Sequence, residues 1–135
     1  MITLYYLNKS FIKLENQILY ITIDLDYNNK SILTLLEYFK NIWILTIENN
    51  NKYYLSFNIV NVSILNTNII EQIVIILNEL QPIFITNLHS TCLIINSENV
   101  LNIIKPILNF YNTVRPFKIC NNNTECLQFF KLNHL

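Results

Sequence analysis

The absence of glycine from all 135 residues is the feature that most constrains this chain. Glycine alone takes up left-handed backbone without steric cost, so the phosphate-cradling loop, the dinucleotide-binding fingerprint and the nucleophile elbow are out of reach. Several large enzyme classes go with them. Turns fall to the next most tolerant residue, asparagine, and the chain carries 23 Asn, 24 Ile and 20 Leu against no Ala and a single Arg, Arg115. That bias is the one expected of a strongly AT-rich genome, in which Asn and Lys fill polar positions and Ile fills apolar ones whatever the local preference. Left-handed turns are therefore expected at Asn residues, notably over 49–51 and 121–123.

With 52% hydrophobic and 13% charged residues the chain can bury enough apolar surface to offset chain entropy, and its length fits one domain over 1–135 with one core. Its Asn residues are interleaved with aliphatics, unlike a low-complexity polar tract. Nine Lys and Arg balance nine Asp and Glu. No excess positive charge is present to release counterions from a phosphate backbone, so nucleic acid is a disfavoured partner. Cys92, Cys120 and Cys126 are odd in number and not closely paired in sequence, which argues for free thiols in a reducing compartment. The first residues lack the basic cluster and small-residue cleavage site of an export signal. The most apolar helix candidate, 69–80, is shorter than the roughly 20 apolar residues of a bilayer span. A soluble, cytoplasmic protein without direct membrane insertion is expected.

Two extended runs, 11–14 and 18–23, flank the polar break Glu15-Asn16-Gln17 and predict a β-hairpin. Over 31–39, Ile32, Leu35, Leu36 and Phe39 recur at helical spacing, and Trp43 and Ile47 extend the stripe, although the β-branched run 42–47 fits a strand equally well. A buried strand is predicted over 53–60. A helix follows over 68–80, with Ile69, Ile73, Ile76, Leu77 and Leu80 on one face and Asn68 and Glu71 spaced as a variant of a capping box. Pro82 should end that helix, with a strand over 83–88, a helix over 98–111 broken at Pro106, a last strand over 117–120 and a last helix over 124–132. Strands alternating with helices imply an α/β single domain: a mixed central sheet with an opening β-hairpin, right-handed βαβ crossovers and helices packed on the sheet.

The usual chemical candidates are weak. Cys120 and Cys126 stand six apart while His89 and His134 are distant, so no metal-ligand spacing is present and no cofactor is implied. Asp24 and Asp26 alternate faces of an extended chain and lack a third partner for acid–base work; turn or cap chemistry is their simpler role. His89 follows the 83–88 run, where loops of open sheets bind ligands, but it stands alone. No catalytic residue emerges, and the expectation is a protein that is not an enzyme.

The most informative stretch is Asn58-Ile59-Val60-Asn61-Val62-Ser63-Ile64-Leu65-Asn66-Thr67-Asn68-Ile69-Ile70. It resembles the strand, bend and helix start of STAS domains, the family named for sulfate transporters and anti-sigma factor antagonists. In that family an Asp-Leu stretch is followed, eight residues after its Asp, by Asp-Ser or Asp-Thr, a spacing kept between Asn58 and Asn66. Asn58 and Asn66 stand at the two Asp positions, Val62 at the apolar anchor of the bend, and Thr67 at the hydroxyl residue phosphorylated in regulatory members. Ile23-Asp24-Leu25-Asp26 is similar to the family's Gly-Glu-Leu-Asp after its second strand, and 117–130 to its closing strand and short helix. This sequence departs from the pattern in both Asn residues, in Ile69 where Gly is often found, and in longer stretches between 26 and 58 and between 87 and 117.

The resemblance implies a STAS-like domain over 1–135 acting as a non-enzymatic interaction and regulatory module. It would dock a kinase-like partner through the Thr67 helix start, with Asn66, Thr67, Asn68, Ile70 and His89 as partner-binding residues and Thr67 as the phosphorylation candidate. A hydroxyl at a helix start lies beside unsatisfied amides and the positive end of the helix dipole. A phosphate there is stabilised, and its roughly two negative charges would disrupt an apolar contact. Capping the helix is the simpler role for Thr67 and needs no partner. A second kind of member, the accessory subunit of an ABC-type lipid transporter, would use the same hydroxyl against its ATPase without phosphate, which the neutral Asn66-Thr67-Asn68 suits. A non-catalytic scaffold domain is a third reading.

Overall fold

The computed structural model describes residues 2–7, 10–24, 29–46, 52–60, 67–109 and 115–132. The expected hairpin forms from β2 (Ser10–Glu15) and β3 (Ile18–Asp24), antiparallel with Glu15 opposite Ile18. Between them Asn16 and Gln17 take positive φ, 51° and 66°, as a two-residue turn must if it is to match the twist of its strands. Asparagine does stand in for glycine here, joined by a glutamine for which that backbone is costlier. The Gln17 carbonyl accepts a 2.8 Å hydrogen bond from the Tyr54 amide, tying the turn to the next strand. The left-handed turn expected over 121–123 does not form. Asn122 caps a helix instead: its Oδ1 accepts from the Glu125 amide at 2.9 Å, while Glu125 Oε2 accepts from the Asn121 amide at 3.0 Å. The turn expected over 49–51 lies outside the described residues.

β1 (Ile2–Leu7) adds a strand outside the hairpin, pairing antiparallel with β2 and shifting register between Thr3 and Tyr5. Sequence reading missed it because its run of apolar and aromatic residues has no polar alternation to mark a strand. β4 (Tyr53–Val60), β5 (Leu88–Ile95) and β6 (Phe117–Cys120) then join in parallel, giving one six-stranded sheet in the order β1 to β6. When strand order equals chain order and crossovers share one hand, every crossover helix falls on the same face. The helices obey this. α1 (Asn29–Thr46) packs on α2 (Thr67–Glu79), α2 on α4 (Glu98–Leu108), and the short α3 (Gln81–Asn87) on α1, α2 and β5. α5 (Asn123–Leu132), which follows β6, lies on the opposite face against β5 and β6.

The crossover face holds the main core. Ile32, Leu35, Leu36, Phe39 and Trp43 are wholly buried along α1, which settles the 42–47 ambiguity in favour of helix as far as Thr46. Trp43 meets Phe84 and Tyr53 edge to face, with ring centroids 5.0 and 6.0 Å apart. Packing of that kind overrides the weak helix preference of Ile42 and Ile44.

The strand expected over 83–88 is a correction. Those residues belong mainly to α3, and the strand begins at Leu88. Pro82 starts a helix as well as stopping one, because in a first turn its missing N–H has no partner to lose and its fixed φ is already helical. β5 then buries every residue from Leu88 to Ile95, so His89-Ser90-Thr91, which reads as a loop, is a strand covered on both faces. α4 ends at Leu108 with Pro106 in its last turn, short of the expected 111.

Candidate functional site

Open sheets place sites at the carboxyl ends of their parallel strands. β4 ends at Val60, opposite Asp24 at the end of β3, and α2 has to run back against β4 to return the chain to the start of β5. Thr67, the first residue of α2, therefore stands at the carboxyl end of the sheet. Asn66, the residue before it, lies outside the described residues. Asn68 is exposed, and from it a stripe runs through Glu71, Ile75 and Glu79 at helical spacing. Ile75 keeps 47% of its surface in water. Glu79 closes the stripe in an ion pair with Lys40 of α1, and accepting that hydrogen bond holds the Lys40 ammonium above its ordinary pKa. Beside the stripe a groove of about 320 Å³ opens between α2 and α4, lined by Glu71, Val74, Ile75, Asn78 and Ile107.

Two expected partner-binding residues lie elsewhere. Ile70 is 2% exposed and shares the inner face of α2 with Ile73, Val74 and Leu77, so it belongs to the core and not to a docking surface. His89 is neither on a loop nor near Thr67. Leu88 stands opposite Tyr53, the first residue of β4, which places His89 at the amino end of the parallel strands. The eight residues of β4 separate the two ends, about 26 Å at the usual rise per residue. The register slips between Tyr53 and Leu55, where β5 advances from Leu88 to Thr91, and such a bulge turns His89 to the face of Tyr54. Its ring stacks on Tyr54 at 4.7 Å, and Tyr54 meets Phe130 at 4.8 Å. His89 is a core histidine.

Under α5 the fold gathers residues that no spacing in the sequence connects. Cys92 of β5, Cys120 of β6 and Cys126 of α5 are all buried together. Cys92 Sγ lies 3.6 Å from Cys120 Sγ and 3.9 Å from the Cys126 carbonyl oxygen, and Cys126 Sγ donates to Ser56 Oγ at 3.6 Å. A hydrogen bond to Cys126 and then burial push the Cys92 thiol far above its usual range. Burial also raises Cys120, while Cys126, the acceptor from Cys92, is drawn down. At 3.6 Å the Cys92 and Cys120 sulfurs touch but are well beyond the roughly 2.05 Å of a bond. Shielded thiols of this kind pack as small hydrophobes. Among the described residues no three or more His, Cys, Asp or Glu are arranged to hold a metal ion.

Beyond α5 the same face opens over β2 to β4 into a trough of about 300 Å³, lined among others by Phe11, Lys13, Tyr20, Thr22, Ser56 and Asn58. The Lys13 ammonium sits 4.2 Å above the Phe11 ring, and burial raises the Tyr20 phenol. Asn58 of β4 thus faces the trough, whereas α2, which begins at Thr67, packs with α1 and α4 on the other face. Among the described residues no helix is long and apolar enough to cross a membrane. In comparison with known proteins, no family model matches this sequence, and no curated protein or solved structure matches it.

Proposed function

We propose that the protein is a non-enzymatic interaction and regulatory module that docks a kinase-like protein partner through α2, from the Thr67 helix start along Asn68, Glu71 and Ile75. The observation that carries this reading is Ile75: an isoleucine 47% exposed on a helix whose opposite face is fully buried, beside a groove floored by Val74 and Ile107. Apolar surface so placed gains free energy when a partner covers it. A helix that starts at Thr67 presents its positive dipole end there, which favours a phosphate. The added charge would stand one turn from Glu71 and beside the same groove, so phosphorylation would weaken docking by repulsion and desolvation. The hairpin, parallel crossovers and helix start are in keeping with the resemblance to STAS domains.

Incubation with regulatory kinases followed by mass spectrometry tests the switch, and pull-down with Ile75→Asp tests the face. Phosphate on Thr67, with binding lost in both Thr67→Glu and Ile75→Asp, is the expected result. An unmodified Thr67 together with full binding by Thr67→Glu sinks the switch, and full binding by Ile75→Asp sinks the docking face. The exposed, neutral Asn68 favours one second reading, a constitutive contact with the ATPase of an ABC-type lipid transporter. In that case the protein fractionates with membranes through its partner and carries no phosphate.

A further inference from the structure

We propose that two copies of this chain pair antiparallel through β1, an edge strand among the described residues, forming one continuous sheet across a two-fold axis. The inference is independent of the α2 docking face. A sheet ordered β1 to β6 has two edges, and an edge strand exposes a row of backbone donors and acceptors that proteins normally guard with brevity, proline, lysine or a bulge. β6 is guarded. It has four residues, follows Pro116, carries the exposed Lys118 and has α5 packed on it.

β1 is built differently. Its six residues, Ile2-Thr3-Leu4-Tyr5-Tyr6-Leu7, include no charge and no proline, and four of them, Ile2, Thr3, Tyr5 and Tyr6, are of types that favour strands. Among the described residues α1 packs against β1 and a register shift falls between Thr3 and Tyr5, and Tyr5, Tyr6 and Leu7 beyond the shift pair regularly with β2. A second copy is the occupant this edge fits best. Antiparallel pairing about a two-fold axis is self-complementary, so each copy supplies the strand the other lacks. A formal net charge of zero leaves no long-range repulsion between copies. Because β1 has no side chain charged at neutral pH, no like charges are set across the seam, while its aromatic and β-branched residues are of types that stabilise cross-strand pairs.

Sedimentation velocity over a range of concentrations tests the pairing. Thr3 and Tyr6 stand in register with Lys13 and Phe11 of β2, which places the substitutions on either side of the register shift. The wild type should sediment at twice the chain mass, and the double variant Thr3→Lys/Tyr6→Lys at the chain mass with unchanged circular dichroism. Mixing it with Thr3→Glu/Tyr6→Glu should restore the doubled mass. Hydrogen exchange needs no variant: β1 amides should become slower as protein concentration rises, and β6 amides should not, which decides the matter even if the charged variants fail to fold. A wild type that stays monomeric to its solubility limit, a dimer that survives in both charged variants, or β1 exchange independent of concentration would each overturn the proposal. A monomer that captures a strand-forming peptide at β1 would assign the edge to another partner and overturn it as well.

Discussion

On the crossover face of the sheet, Leu19, Ile21, Leu55, Phe57 and Leu93 meet four helices and close a buried apolar core around Trp43. On the other face the same strands contribute Tyr20, Ser56, Asn58 and Cys92, beneath the ten-residue α5, the one helix on this face among the described residues, and an open trough. Alternation of side chains along a strand makes both faces from one sequence, yet they differ in how much is buried and by what. The first is a large aliphatic and aromatic interior whose loss unfolds the chain. The second is a thin layer of thiols and aromatic rings held by one short helix, and local opening is easiest where few apolar contacts hold an element down.

The largest expected effect lies on the crossover face. Ile73 is 4% exposed on the inner side of α2, and truncating a buried isoleucine to alanine costs roughly 2 to 5 kcal/mol. Against a total of roughly 5 to 15 kcal/mol for a domain, Ile73→Ala should shift urea melts strongly and threaten folding. A cost below about 1 kcal/mol would mean that this face is no better packed than the other, since losses that small fall below the range for truncating a buried isoleucine to alanine.

On the α5 face the expected effect is smaller. Cys126→Ala removes one buried sulfur from a 0% exposed site, comparable in size to Ile→Val, and should cost about 0.5 to 1.5 kcal/mol. The sharper test is thiol labelling. If α5 undocks by itself, reaction of Cys92, Cys120 and Cys126 with a thiol reagent should depend on urea with a slope well below that of global unfolding, because less surface is exposed in the opening step. Equal slopes would make the two faces one cooperative unit.

The hairpin turn gives an effect of opposite sign. Gln17 holds φ at 66°, and left-handed backbone costs a non-glycine residue about 1 to 2 kcal/mol, of which glycine's extra freedom in the unfolded chain takes back about 0.4 to 1. Gln17→Gly also creates Asn-Gly, the pair this turn type prefers. A net gain of roughly 0.5 to 1 kcal/mol in urea melts is expected. No gain would show that the freedom glycine brings to the unfolded chain cancels the relief of strain, since the backbone bond from Tyr54 is kept in both.

Which parts of this molecule were legible in its sequence follows from the same contrast. The strand expected over 53–60 and the one over 117–120 coincide with β4 and β6, since apolar runs of strand length between polar breaks carry local information. The α1 stripe was legible because helical spacing is local too. β1 and α3 were not: an unbroken apolar run and the β-branched Ile83-Phe84-Ile85-Thr86 are locally ambiguous, and pairing with β2 or packing against Trp43 decides them. Thr67 was placed at a helix start by a local pattern. Ile70 and His89 were misplaced because their surroundings depend on helix phase and on a bulge, and the cysteine cluster depends on contacts across 34 residues of chain.

The smallest expected effect concerns Thr67. Had Thr67 been the helix cap, replacing it by alanine would cost about 1 kcal/mol. α2 instead begins with Thr67 itself, so the substitution exchanges one helical residue for a better helix former. Helix ends shift by a residue or so between states, which lets Thr67 share the cap at times. Thr67→Ala should therefore stay within about 0.5 kcal/mol of the wild type, between the loss of a shared cap and the gain in propensity. That near-neutrality makes it a clean probe of the docking face: lost partner binding at unchanged stability would belong to the surface around Asn68, Glu71 and Ile75. A loss of stability approaching that of Ile73→Ala would make Thr67 a core residue, and the α2 docking face would then have to begin further along the helix, at Glu71 and Ile75.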